Sequence, residues 1–254
     1  MRIDWHHDRF ELPLGVRACS TLGGDGFDLG GERLADGSPS PGVVARRDRL
    51  RSELGLARVA FLEQVHGIGV HEAGRSAEAV LPEADAVTTR VPNVACAVLT
   101  ADCLPVLFCC LRGGRVAAAH AGWRGLSAGV LEATLARFDA ESTKVSAFLG
   151  AAIGPGSFEV GPEVRAAFIA GTATVASSAE LSDCFARGRG DRWFADLYGL
   201  ARVRLRAAGV TGVYGGGEDC FRDADRWFSY RRDGVRAGRQ ASLIWIEPGV
   251  SRNS

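Results

Sequence analysis

The stretch Val94-Ala-Cys-Ala-Val-Leu-Thr100-Ala-Asp102-Cys103-Leu-Pro105-Val-Leu-Phe-Cys-Cys-Leu111, followed by Arg115-Val-Ala-Ala-Ala-His120-Ala-Gly-Trp-Arg-Gly125, decides how the chain is read. Val94 to Leu111 is the most apolar run in the sequence. Its length approaches that of a short membrane span, yet Asp102 and Pro105 interrupt it. Two buried strands, Val94–Thr100 and Pro105–Leu111, account for it better. Arg112-Gly113-Gly114 marks a turn, and Arg115 to His120 returns as a third strand. Gly122-Trp123-Arg124-Gly125 breaks that strand. A helix from Ser127 to Phe138 follows, with Val130, Leu131, Thr134, Leu135 and Phe138 on one face.

Upstream of this block, residues 1–45 read as loop-rich, with glycine pairs Gly23-Gly24 and Gly30-Gly31 and a turn from Ser38 to Gly42. Val44 to Leu56 reads as a helix, with Leu50 and Leu54 spaced four apart and Gly55 near its end. Val59 to Glu63 reads as a short strand running into Gln64-Val65-His66-Gly67, and Ile68 to Glu72 as another. Downstream, Val145 to Leu149 is a strand ending in the loop Gly150 to Gly161, and Pro162 opens a helix through Ile169. Residues 171–192 read as an irregular polar loop. A helix from Phe194 to Ala208 closes at Gly209. Val210–Tyr214 and Ser242–Ile246 are strands flanking a loop-helix segment, Cys220 to Gly234. Strands and helices mix without strict alternation, and no linker divides them. Residues 1–254 are therefore expected to form one α+β domain of mixed β-sheets layered with helices.

The chain has 254 residues, 46% apolar and 24% charged, enough to bury a core without disulfides. Thirty basic and thirty acidic residues cancel, so no overall field attracts nucleic acid or an anionic membrane. The one dense basic patch lies at Arg231 and Arg232. The start, MRIDWHHDRFELPLG, carries charges where an export signal needs an apolar segment. The seven cysteines lack framework spacing and read as reduced thiols of a cytoplasmic protein.

Chemistry concentrates in three places. Of five histidines, His66 closes a strand just before Gly67, and His120 ends the apolar Ala-rich strand just before Ala121-Gly122. Cys103 arrives with Asp102 inside an apolar run, where a carboxylate must be paired, hydrogen-bonded or beside a metal. Asp102 is read as orienting a histidine or holding a proton. A His, Cys, His set suits a catalytic zinc site, which leaves a fourth position for water or substrate. The residues alone favour a plainer reading, since no short-spacing metal motif is present and dispersed histidines are often buried without a metal. Arg124 at a helix start is a candidate anion contact, and Ser229-Tyr230-Arg231-Arg232-Asp233-Gly234 is a second.

Five stretches in order resemble a known family: Gln64-Val65-His66-Gly67; Thr100-Ala101-Asp102-Cys103-Leu104-Pro105-Val106; His120-Ala-Gly-Trp-Arg-Gly125; Ala152-Ile153-Gly154-Pro155 with Phe158-Glu159-Val160-Gly161; and Phe228 to Gly234 with Gly238-Arg239. The chain is similar, over roughly residues 12–247, to the laccase-domain family, also called multicopper polyphenol oxidase-like or peptidoglycan-editing-factor proteins. The resemblance implies zinc held by His66, Cys103 and His120. It implies a purine nucleoside phosphorylase with adenosine deaminase activity, acting on adenosine, inosine, guanosine and methylthioadenosine, with nucleoside and phosphate as its partners. It also implies a fold shared with a deamidating toxin that carries a Cys-His pair.

Within that frame Asp102, Cys103 and Arg124 are expected to carry the chemistry, and Gln64, Arg124, Tyr230 and Arg231 to bind substrate. Deamination requires hydroxide at C6 of adenine, with Asp102 handling protons, and phosphorolysis requires phosphate at C1′, held by Arg124 and Arg231. Copper fits less well than zinc. A multicopper oxidase needs a further histidine-rich cluster, and only His6, His7 and His71 remain. Some features depart from the family's pattern. Leu22 replaces an arginine in Ser20-Thr21-Leu22-Gly23-Gly24, Gly156 and Ser157 stand where two cysteines are common, and Phe221 follows Cys220. These raise the expectation of an altered substrate range. Two other readings remain open. One is a metal-free Cys-His hydrolase or peptidoglycan-precursor editing enzyme with Cys103 as nucleophile and His120 as base. The other is a non-catalytic metal- or nucleoside-binding module, which would bind nucleosides without turnover.

Overall fold

A computed structural model describes residues 1–249 except 24–25, 36, 78–79, 140–143 and 171–176. In chain order the first elements are β1 (Ile3–Trp5), β2 (Val16–Thr21), α1 (Pro41–Glu53), β3 (Arg58–Ala60), β4 (Val70–Glu72) and β5 (Ala86–Thr89). The middle of the chain forms β6 (Val94–Thr100), β7 (Leu104–Cys110), β8 (Val116–Ala121), α2 (Trp123–Ala128), α3 (Val130–Leu135) and β9 (Val145–Leu149). Then come β10 (Glu159–Val160), α4 (Pro162–Ala170), α5 (Ser178–Ser182), β11 (Phe185–Arg187), β12 (Trp193–Ala195) and α6 (Leu197–Ala207). The chain finishes with β13 (Gly212–Gly215), α7 (Tyr230–Asp233), a 3₁₀ turn over Gly234–Arg236 and β14 (Gln240–Ile246).

The strands make a five-stranded sheet in the order β1-β2-β14-β6-β3, a six-stranded sheet β13-β9-β7-β8-β5-β4 and a small sheet β10-β12-β11. Parallel pairs (β3 with β6, β4 with β5, β13 with β9) sit among antiparallel ones, which is the mixed α+β architecture expected. The side-chain alternation of each strand explains the layering. On β7, Leu107 and Cys109 point at the five-stranded sheet, where they meet Cys96, Val98 and Ile244. Leu104, Val106 and Phe108 point the other way, onto Leu126, Leu131 and Leu200 of the helices. On β6, Ala95 and Ala97 face Leu50 of α1. Two sheets are thus stacked between two helical layers, so β6, β7 and β8 are buried on both faces and read as continuous apolar runs. Truncating Phe108, which is fully buried, to alanine would cost about 3–5 kcal/mol.

Several element boundaries differ from the sequence reading, each for a local reason. The helix expected from Val44 starts at Pro41, because Ser40 caps it by accepting from Val43 N at 3.3 Å and Pro41 fills its first turn. The helix expected over Ser127–Phe138 is two, α2 and α3, broken at Gly129 with φ 109. The helix expected from Phe194 begins at Leu197, capped by Asp196, and Trp193–Ala195 is a strand instead. Residues 1–45, expected to be loop-rich, contain β1 and β2, since β2 pairs with β14 in mid-sheet. Of the loop expected over 171–192, residues 171–176 lie outside the described residues, and the remainder contains α5 and β11. Among the described residues, no helix is long and apolar enough to cross a membrane.

Candidate active site

β6 ends at Thr100 in one sheet and β7 opens at Leu104 in the other. The chain therefore crosses between the sheets within Ala101, Asp102 and Cys103. Asp102 makes the turn with φ 89, a conformation that costs a non-glycine residue about 1–3 kcal/mol and collects at functional sites. An extended strand would send Asp102 and Cys103 to opposite faces. The turn brings both to the lining of one cavity of about 500 Å³. His120, on β8 and opposite Pro105 of β7, reaches the same place. His66 arrives from the loop between β3 and β4, also with positive φ, at 62°.

Cys103 Sγ lies 3.9 Å from His66 Nε2, and the two imidazole rings meet edge-on with centroids 4.8 Å apart. One ligand atom from each of the three residues falls within 4.8 Å of the others. A Cβ at position 122 would sit 3.0 Å from both Cys103 Sγ and His66 Cδ2, so Gly122 leaves the space between them open. A thiolate and two imidazoles around an open space fit zinc by donor type. Among the described residues this is the one such group of His, Cys, Asp or Glu side chains. Among the described residues, His6, His7 and His71 join no other group of three or more His, Cys, Asp or Glu side chains.

The local electrostatics favour a charged pair. Burial by itself raises the Cys103 thiol, but the charge of His120 and hydrogen bonds from both histidines outweigh it and bring the thiol down to about 6. Burial lowers His120, but the Cys103 charge and the Asp85 hydrogen bond raise it to about 9. Asp102 is shifted upward by burial, against hydrogen bonds from Arg231 N and the Ser229 hydroxyl. Its Oδ2 accepts from Arg231 N at 2.6 Å, while its buried Oδ1 has no hydrogen-bond partner among the described residues.

Asp85 is the site residue the sequence reading missed. Its Oδ1 accepts from His120 Nδ1 at 2.8 Å, so the histidine-orienting position suggested for Asp102 is filled by Asp85. A signal was present. Asp85 directly precedes Ala86-Val87-Thr88-Thr89, which forms the fully buried strand β5.

The other expected residues are dispersed in use. Gln64 lines the cavity, but its amide donates to Leu99 O and accepts from Leu99 N, both at 2.8 Å, acting as a surrogate strand edge. Arg124 is exposed at the mouth, over the Trp123 ring at 4.5 Å. Its helix, α2, has only six residues. Arg231 donates to Glu159 O at 3.0 Å and lies over Phe158, and Tyr230 faces the guanidinium of Arg239. Arg232, half of the basic patch, clamps the carbonyls of Cys220 and Trp227 and lies outside the cavity lining. Leu22 packs on Ala151, Cys220 and Trp227. The cavity is lined by Arg33, Arg124, Arg231 and Arg239 against a single carboxylate, Asp102.

Residues 25–247 match the family described as multi-copper polyphenol oxidoreductase laccase. A Pseudomonas aeruginosa protein named purine nucleoside phosphorylase is 46% identical over 252 residues, 96% of this chain and 98% of its own. An Escherichia coli protein of the same name is 44% identical over 92% of this chain and 95% of its own. Among crystal structures, a Neisseria meningitidis protein is similar with a TM-score of 0.82 at 40% identity, over 94% of this chain and 98% of that one. YlmD from Geobacillus stearothermophilus is similar with a TM-score of 0.77 at 25% identity, over 92% and 93%.

Proposed function

We propose, from the premise that this chain belongs to the multi-copper polyphenol oxidoreductase laccase family, that it is a zinc-dependent purine nucleoside phosphorylase with adenosine deaminase activity. The observation that carries the reading is the convergence of His66, Cys103 and His120 within 4.8 Å at the arginine-lined cavity. Its relatives' name supplies the nucleoside and phosphate. The volume of about 500 Å³ lies within the ordinary range for small-ligand sites.

A zinc ion held by these three residues would supply a Lewis acid and make hydroxide available near neutral pH. The chain's own groups do the rest. In phosphorolysis a phosphate oxygen bonds to C1′ as the C1′–N9 bond breaks, and the departing purine takes up a proton. Asp102 holds that proton at Oδ1, since burial favours its neutral form and Oδ2 is engaged by Arg231 N. Four arginines against one carboxylate favour the dianionic phosphate. Arg124, exposed like Arg33 and Arg231, is the member proposed to meet it. Trp123, Phe158 and Tyr230 offer aromatic faces to the purine.

The test couples metal analysis to turnover. Purified wild type should carry near one zinc per chain and release free base from inosine or adenosine only with phosphate. Cys103→Ala should carry none and do neither. A fully active Cys103→Ala protein would refute the proposal.

The Cys-His hydrolase reading, including peptidoglycan-precursor editing, draws support from one observation. His120 stands between Cys103 and the buried Asp85, an order that suits a nucleophile, a base and its orienting carboxylate. An alkylating probe separates the two. A zinc-held thiolate reacts only after chelation, whereas a free one reacts at once.

A further inference from the structure

Asp85 is fully buried and stands outside the three-residue ligand group and the cavity lining, yet four donors converge on its carboxylate. Oδ1 accepts from His120 Nδ1 at 2.8 Å and from His66 N at 2.9 Å. Oδ2 accepts from Gly67 N at 2.6 Å and Val65 N at 3.2 Å. The Asp85 backbone carbonyl also accepts from His120 N at 2.7 Å, continuing the β5–β8 ladder one residue past Ala86 and Ala119.

We infer that Asp85 is a positioning residue that aims both histidines at one point. All four contacts reach the carboxylate from nitrogen, three of them from backbone amides that can only donate, so Asp85 acts here purely as an acceptor. His120 must then carry a hydrogen on Nδ1, which reserves Nε2 for the centre of the site. The three successive amides of Val65, His66 and Gly67 close on the same carboxylate and hold His66 in its left-handed conformation. One buried side chain thereby couples two ligands that are 54 residues apart in sequence by position, 66 and 120. Because all four partners donate, an amide cannot substitute for the carboxylate. Its NH₂ group would meet another N–H.

The test uses the full chain. Asp85→Asn should weaken zinc binding, read by competition with a coloured chelator, by roughly 10–100-fold while the protein still melts cooperatively. In metal-free wild type, a nitrogen-edited proton spectrum should show a downfield, slowly exchanging proton on His120 Nδ1. Wild-type zinc affinity in folded Asp85→Asn would overturn the inference. So would a wild-type spectrum without that proton, an outcome that needs no variant to fold. The affinity measurement rests on the proposed zinc reading. A wild type that binds no zinc would sink that reading, while the spectrum would still decide the role of Asp85.

Discussion

His6 and His120 are buried to nearly the same degree, 2% and 3% exposed, yet their surroundings pull them in opposite directions. His6 lies between the sheets, stacked on Phe148 at 4.3 Å, with Nε2 3.0 Å from the Ser20 hydroxyl and Arg9 3.2 Å from Nδ1. Burial drives it down to about 4, Asp4 opposing and Arg9 assisting. His120 meets the same burial, but the Cys103 charge and the Asp85 carboxylate carry it up to about 9. Burial alone disfavours the charged ring, and the partners decide whether that penalty is overcome. A hydroxyl and an arginine make a structural histidine. A thiol and a carboxylate make one suited to a site.

The largest expected effect tests the site end. Cys103→Ala should lower phosphorolysis by more than about 100-fold, beyond what loss of an outer partner of a metal ligand costs. Activity within a few fold of wild type would erase the distinction between the two ends.

The next concerns acid. His6 is neutral in the fold and takes up a proton more readily when unfolded, because its pKa falls from 6.5 to about 4. The stability it contributes is complete above pH 6.5 and is lost as pH falls through about 4, on the order of 3 kcal/mol in all. Urea unfolding at pH 7 and pH 4.5 should show a smaller acid loss for His6→Gln than for wild type. His120 and Cys103 shift in opposite directions, one gaining the proton the other loses, so the pair should add little net slope between pH 6.5 and 9. Parallel slopes for the two histidines would break the comparison.

Gly122→Ala comes third. Its methyl would meet Cys103 Sγ and His66 at 3.0 Å, an overpacking expected to cost about 1–3 kcal/mol. Zinc affinity should drop by about tenfold or more, measured by chelator competition. Unchanged affinity would mean that the space between the ligands is not what Gly122 keeps open.

The smallest effect is at the structural end. Ser20→Ala removes the hydroxyl that joins His6 to Ser242 at 3.0 and 2.8 Å. The expected loss is about 1 kcal/mol of stability, with phosphorolysis within about twofold of wild type. A large loss of activity would place the His6 network in the site.

Much of this was legible in the residues. The apolar runs Val94–Thr100 and Val145–Leu149 are strands with the boundaries expected, because strands buried on both faces show no polar alternation to blur their ends. His66, Cys103 and His120 stood out as polar groups at the ends of such runs, and the structure brings all three together. The strands of residues 1–45 were not legible. β1 and β2 owe their form to β14, more than 200 positions away, and lack a strong period of their own. That Gln64 also pairs with both backbone groups of Leu99 was not legible, since the two segments meet only in the fold.

By itself the sequence determined which segments must be buried and which few polar side chains those segments carry inward, since transfer of apolar surface from water is a local, residue-by-residue preference. Only the tertiary structure decided that Asp85, and not Asp102, holds His120, and that Asp102 instead turns with φ 89 toward Arg231. Both aspartates border buried strands. What separates them is direction, and direction is set by strand register and by the crossing between two sheets, which no single segment contains.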